Sequence, residues 1–131
     1  MGGVKVEQKE FEHLMLKARA FQRAGDRTEF WTGFQRGLRR RFHGETFGTP
    51  EEHEKWMNLD DGRRDLRTGY RLGFHYGEIP AEPKRIRELL NLSTDDLAEI
   101  AGVSPRTVEG WEQGRAIPKP ALRLIQNFLN A

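Results

Sequence analysis

The sequence contains no cysteine, which excludes disulfide cross-links, thiol nucleophiles and zinc sites built on thiolates. No apolar run approaches the roughly 20 residues needed to cross a bilayer. The opening residues Met1-Gly2-Gly3-Val4-Lys5 lack the basic and apolar stretches of a secretory signal. No segment alternates apolar and polar residues over the length of a strand. Four histidines (His13, His43, His53, His75) have no metal-ligand spacing, no glycine loop precedes a lysine, and no serine or threonine has a base partner. These absences give a metal, a cofactor or an enzymatic reading nothing to rest on. The expectation is a soluble, cytoplasmic, non-enzymatic protein that needs no cofactor.

Surplus charge is scarce too, at +2 over 131 residues. Residues 80–131 carry seven basic and seven acidic side chains, so the surplus lies upstream. If the C-terminal part binds a polyanion, it does so by placing cations rather than by bulk charge.

What is present reads as helix throughout. Gly77-Glu78-Ile79-Pro80-Ala81-Glu82-Pro83 stops one helix and starts another. We therefore divide an all-α chain into a helical module at 1–77, a linker at 78–83 and a second domain at 83–131. Upstream, Phe11, Leu14, Met15, Ala18 and Phe21 repeat at helical spacing until Gly25-Asp26. A second helix from Thr28 would align Trp31, Phe34, Leu38 and Phe42. Thr49-Pro50-Glu51-Glu52 is a capping box that opens a short helix through Trp56 and Met57. Asp60 or Asp61 would cap a fourth, with Leu66, Tyr70 and Phe74 on one face.

Glycines recur every fourth residue inside two of these helices, at 33 and 37 and at 69, 73 and 77. Each costs a helix interior about 1 kcal/mol against alanine, so either backbones approach closely there or the helices break. A faint echo between 32–38 and 68–74 is compatible with a duplicated packing unit or with chance. Arg36, Arg39, Arg40 and Arg41 have two readings, a solvated polar face or an auxiliary patch for phosphate or an acidic partner.

The densest set of local signals lies between Ser93 and Trp111. Ser93 suits an N-cap, and Asp95 and Asp96 suit the first turn of the helix it opens. Leu97 and Ile100 point inward, with Ala98 small enough for a crossing helix. Gly102 supplies the positive φ that ends this helix. Ser104 caps the next one, Pro105 fits its first position, and Val108 and Trp111 return to the core. Two helices joined by so tight a turn form a helix-turn-helix.

Leu97-Ala98-Glu99, Gly102-Val103-Ser104, Thr107-Val108, Trp111-Glu112-Gln113-Gly114 and Pro118 resemble the lambda-repressor-like, Xre-type helix-turn-helix regulators. The resemblance covers about 50 residues, omits 1–79, and implies a last helix from Pro120 to Asn130 with Leu122, Ile125 and Leu129 inward. It also implies an ion pair between Arg87 and Glu112. It places Thr94 at a phosphate or base-edge contact. Ser104 and Thr107 sit where hydroxyls clamp phosphates, and Arg106 offers a planar fork to guanine. Glu109 is positioned to accept from cytosine or to repel phosphate. Gly110 stands where the family often has a base-reading side chain. Gln113, Arg115 and Lys119 are expected at the DNA backbone.

The expected function is that of a sequence-specific repressor of its own operon, in a bacterium or a mobile genetic element. The alternative is an interaction protein, such as an antitoxin or host-defence inhibitor. One such domain offers too little contact to specify a site, so a homodimer on an inverted-repeat double-stranded operator is expected. Residues 1–77 would supply the dimer contact or bind a protein partner. The aromatic residues Trp31, Phe34, Phe42, Trp56, Tyr70 and Phe74 and the glycine rows are the surfaces expected to do so.

Overall fold

The computed structural model describes residues 7–25, 27–78 and 82–129, without the side chains of Pro83 and Leu129. Asp26 as a helix stop, Pro80 in the linker and an inward Leu129 fall outside that description. The described residues form eight α-helices and no strand: α1 (Gln8–Arg23), α2 (Thr28–His43), α3 (Pro50–Met57), α4 (Arg64–Phe74), α5 (Pro83–Leu90), α6 (Thr94–Ala101), α7 (Pro105–Glu112) and α8 (Lys119–Leu129). The chain divides into two compact units after Glu78.

The first unit is organised by α2 and α4, and the glycines explain why. A methyl group at Gly33 would overlap the Leu66 carbonyl and lie 2.9 Å from the Tyr70 amide nitrogen. One at Gly37 would overlap the Tyr70 carbonyl and lie 2.9 Å from the Phe74 nitrogen. From the other side, Gly69 meets the Phe30 carbonyl and the Phe34 nitrogen, and Gly73 meets the Phe34 carbonyl and the Leu38 nitrogen. The contacts advance together along both chains, so the helices run parallel. Each residue of α2 and its counterpart 36 positions later exchange roles, which gives the pair a local two-fold pseudo-symmetry. The echo between 32–38 and 68–74 is this packing unit. The intrinsic helix cost of four glycines is offset by backbone contact that only glycine permits, with Cα–H groups directed at carbonyl oxygens.

Parallel helices need a long return connection, and residues 44–63 supply it. Thr49 and Glu52 close the expected capping box on α3, with reciprocal bonds of 3.1 and 3.0 Å. Before α4 comes a 3-10 turn at Asp61–Arg63, so neither Asp60 nor Asp61 caps α4 directly, and Asp60 precedes the turn without a side-chain bond. The return segment is tied down by arginines. Arg67 donates to the Leu59 carbonyl at 2.7 Å and Arg71 to that of Met57 at 2.6 Å. Arg40, 9% exposed, donates to the carbonyl of Phe47 at 3.1 Å. Arg36 lays its guanidinium 4.5 Å from the Trp56 ring centre, and Arg41 pairs with Glu78 at 2.7 Å. Three of the four arginines of the run, Arg36, Arg40 and Arg41, therefore hold structure, and Arg39 is half-buried beside them.

α1 lies antiparallel on α2, with Phe11 stacked on Phe42 at 4.3 Å and Phe21 on Trp31 at 5.0 Å. Trp31, Phe34 and Tyr70 are buried, and Trp56 and His53 pack against Tyr70, whose hydroxyl lies 2.8 Å from His53 Nδ1. Gly33, Gly37, Gly69 and Gly73, with Trp31, Phe34 and Tyr70, are thus consumed inside the unit, while Phe42, Trp56 and Phe74 are half-buried. Burial pushes the His53 and His75 imidazoles below their ordinary range, and nearby Arg40 acts in the same direction on His53.

In the second unit Ile86, Leu90, Leu92, Leu97, Ala98, Ala101, Val108, Trp111, Ala121 and Ile125 form one core. Ile100 and Leu122 sit at its edge, half-buried. α8 starts at Lys119, one residue before the expected Pro120.

Candidate nucleic-acid interface

Three helix ends in the second unit follow one backbone rule. Asn91, Gly102 and Gly114 take positive φ of 56°, 71° and 110°. The next amide in each case, of Leu92, Val103 and Arg115, then donates to the carbonyl five residues back, at 2.8, 3.0 and 3.0 Å. These are Schellman closures, which satisfy the last carbonyls of a helix and turn the chain sharply. Glycine takes this conformation at two of them, and at the third Asn91 does, asparagine being among the few other residues that tolerate it.

The starts are equally well defined. Ser93 and Asp96 form a capping box on α6, with reciprocal bonds of 3.1 and 3.0 Å. Ser104 Oγ accepts from the Thr107 amide at 3.3 Å and lies 3.0 Å from Thr107 Oγ1. Gly102 sits at φ 71°, a backbone conformation that larger side chains disfavour, and a methyl there would meet Leu124 at an ordinary contact distance of 3.4 Å. α6 and α7 are thereby held as two short helices around a three-residue turn.

The expected pair forms between α5 and the end of α7. Arg87 Nε and Nη2 donate to the two carboxylate oxygens of Glu112 at 2.8 and 3.0 Å. The bidentate hydrogen bonds raise the Arg87 pKa and hold the Glu112 carboxyl below its usual range. The side chains are 22% and 13% exposed, so the pair is partly shielded rather than sealed.

On α7, Val108 and Trp111 point into the core while Arg106, Glu109 and Gln113 are exposed on the opposite face. Thr107 is half-buried at the capped end. A mutual Ser104–Thr107 bond uses one hydroxyl proton and leaves the other for a ligand. Thr94 and Lys119 are the first residues of α6 and α8, so they belong to other helix starts than the α7 face. Arg115, exposed, follows α7 and lies against Gly110, a contact that sequence reasoning did not anticipate.

Comparison with known proteins agrees with this geometry. Residues 84–130 match the helix-turn-helix family. The chain is also similar to antitoxin HigA-2 of Vibrio cholerae serotype O1 (strain ATCC 39315 / El Tor Inaba N16961), 41% identical over 51 residues. That match covers 36% of this chain and 49% of the relative, so the chain spans about half the length of the curated protein it matches. No solved structure matches. Residues 84–130 are a helix-turn-helix domain, and the resemblance to the Xre-type regulators holds over that segment. Among the described residues there is no helix long and apolar enough to span a membrane and no acidic or histidine cluster able to hold a metal.

Proposed function

We propose that this protein binds double-stranded DNA sequence-specifically and acts as a transcriptional repressor, with its own operon as a target. The observation that carries the reading is α7. Its inner face is locked by Val108, Trp111 and the Glu112 pair, and its outer face offers Arg106, Glu109 and Gln113 to a groove. An α-helix fits the major groove of B-DNA, and an arginine fork can bond guanine O6 and N7 together. Ser104, Thr107, Thr94 and Lys119 supply donors for phosphates at three helix starts, and Gln113 and Arg115 lie at the far end of α7. We further propose a homodimer on an inverted repeat, since one such domain covers a single half-site. With Gly33, Gly37, Gly69, Gly73 and the buried aromatics occupied internally, this rests on interface size.

A second reading has one observation behind it: the matched relative is named an antitoxin. Residues 1–77 would then engage a protein partner, and one chain can do both. Binding-site selection with the full-length protein at several salt concentrations tests the first reading, with light scattering to give its mass. An enriched inverted repeat bound by two chains is expected. A selection that enriches no sequence contradicts DNA readout, and a monomer bound to a single half-site contradicts the dimer.

A further inference from the structure

The outer face of α7 has a gap at its centre. Arg106, Gly110 and Gln113 recur at i, i+4 and i+7 and so share one stripe, and the middle member has no side chain. The gap is covered by a residue from outside the helix. Arg115 Cδ lies 3.1 Å from the point where a Gly110 Cβ would stand, with Nη1 at 3.5 Å and Nε at 3.6 Å. This placement follows from the backbone. Gly114 at φ 110° reverses the chain, and the Arg115 amide donates to the Gly110 carbonyl at 3.0 Å. That closure brings the residue after the turn back over the helix position it bonds, where an apolar pair usually meets. Here the pair is a glycine and an arginine, so the arginine stem lies on bare backbone and its guanidinium stands over Gly110, in the gap of the outer stripe.

We propose that Arg115 is a base-reading, specificity-determining residue, presented on the recognition helix across Gly110, and that its ligand is a guanine edge in the major groove. The inference rests on the DNA-binding reading above and deepens it: two guanidinium forks, one from within α7 and one from beyond it, read two base pairs of each half-site. Gly110 is then not a loss of readout but the opening that admits the second fork. A lysine at position 115 would keep the charge and lose the planar fork.

The test is binding-site selection with full-length wild type, Arg115→Ala, Arg115→Lys and Gly110→Ala, together with affinities for the selected site and for random DNA at matched salt. Melting curves establish that each variant folds. We expect Arg115→Ala and Arg115→Lys to flatten preference at one base pair, distinct from the one that Arg106→Ala flattens, with a loss of roughly tenfold in specific over random affinity. Arg115→Lys should keep its random-DNA affinity. Gly110→Ala should weaken the same base pair, because its methyl displaces the Arg115 stem. A lysine variant with wild-type selectivity, or an alanine variant that weakens selected and random DNA equally, overturns the proposal and makes Arg115 a phosphate contact. Wild type that enriches no sequence at all overturns the DNA-binding reading itself; wild type that enriches a site left untouched by every position-115 variant overturns only this inference.

Discussion

Gly37→Ala would ordinarily be judged a stabilising change, because alanine gains about 1 kcal/mol over glycine in a helix interior. The structure reverses that sign. The new methyl would overlap the Tyr70 carbonyl oxygen and stand 2.8 Å from its carbon and 2.9 Å from the Phe74 nitrogen. All three are backbone atoms of α4, so no side-chain rotation relieves them. Real side chains essentially never come closer than 3.0 Å, so α2 and α4 must part by at least about 1 Å. A gap of that size forfeits about a quarter to a half of each dispersion contact across the seam, and Phe34, Leu38, Leu66 and Tyr70 all pack there. Overpacking of this kind costs about 1–3 kcal/mol and can cost more. With the propensity gain included, we expect a net loss of about 1–2 kcal/mol. The pseudo-symmetry adds a sharper expectation, that Gly73→Ala should cost about as much. Urea denaturation gives the magnitude, and amide hydrogen exchange should locate the loss in α1–α4 and spare α5–α8. A Gly37→Ala protein as stable as wild type, or more so, would refute the parallel glycine-mediated packing.

Other expectations follow from the second unit. In a double-mutant cycle on Arg87→Met and Glu112→Gln, each single change should cost about 1–3 kcal/mol, below the value for a sealed pair because both groups are partly exposed, and the double change should cost less than their sum; additivity would mean that the two do not interact. Because the Glu112 carboxyl is held below its usual range, its contribution is complete above the unfolded value of about 4.3 and is lost as pH falls through the folded one. Glu112→Gln should therefore flatten the acid limb of the stability curve, and an unchanged limb would contradict the assignment. Ala98→Glu should unfold the helix-turn-helix domain, since Ala98 is 2% exposed and a charge there has no partner; retained DNA binding with an unchanged melt would show the helix crossing to be elsewhere. Arg106→Ala should lower specific affinity by about 1–3 kcal/mol and relax one base pair, whereas equal weakening on random DNA would make it a phosphate contact.

How much of this could be read from the sequence differs sharply between the units. In the second, local chemistry and tertiary role coincide: Ser93, Gly102, Ser104 and Pro105 set helix ends within a few residues of themselves, and Val108 and Trp111 repeat on one face. Even the Arg87–Glu112 pair was accessible, through its spacing in related chains. In the first unit the decisive contacts are between backbones 33 to 39 residues apart, and glycine carries no side chain to say what it meets. The rows at 33/37 and 69/73 were visible, but whether they served a fold or a dimer depended on which helix lay opposite. The arginines misled for a related reason. On a helical wheel Arg36 and Arg40 lie away from the apolar stripe, yet the return segment 44–63 crosses that side and offers them carbonyls and the Trp56 ring. The contact of Arg115 with Gly110 was not legible, because its position after the helix hides the closure that folds it back over that residue.

The placement of α7 in the major groove is tested most directly by dimethyl sulfate probing of a selected site with full-length protein bound. Guanine N7 lies in the major groove and adenine N3 in the minor. The account predicts that guanine N7 positions become protected on one face of the duplex in two patches about 34 Å apart, and that the protection nearest Arg106 disappears in Arg106→Ala. Binding that leaves every guanine N7 reactive while protecting adenine N3 would contradict it.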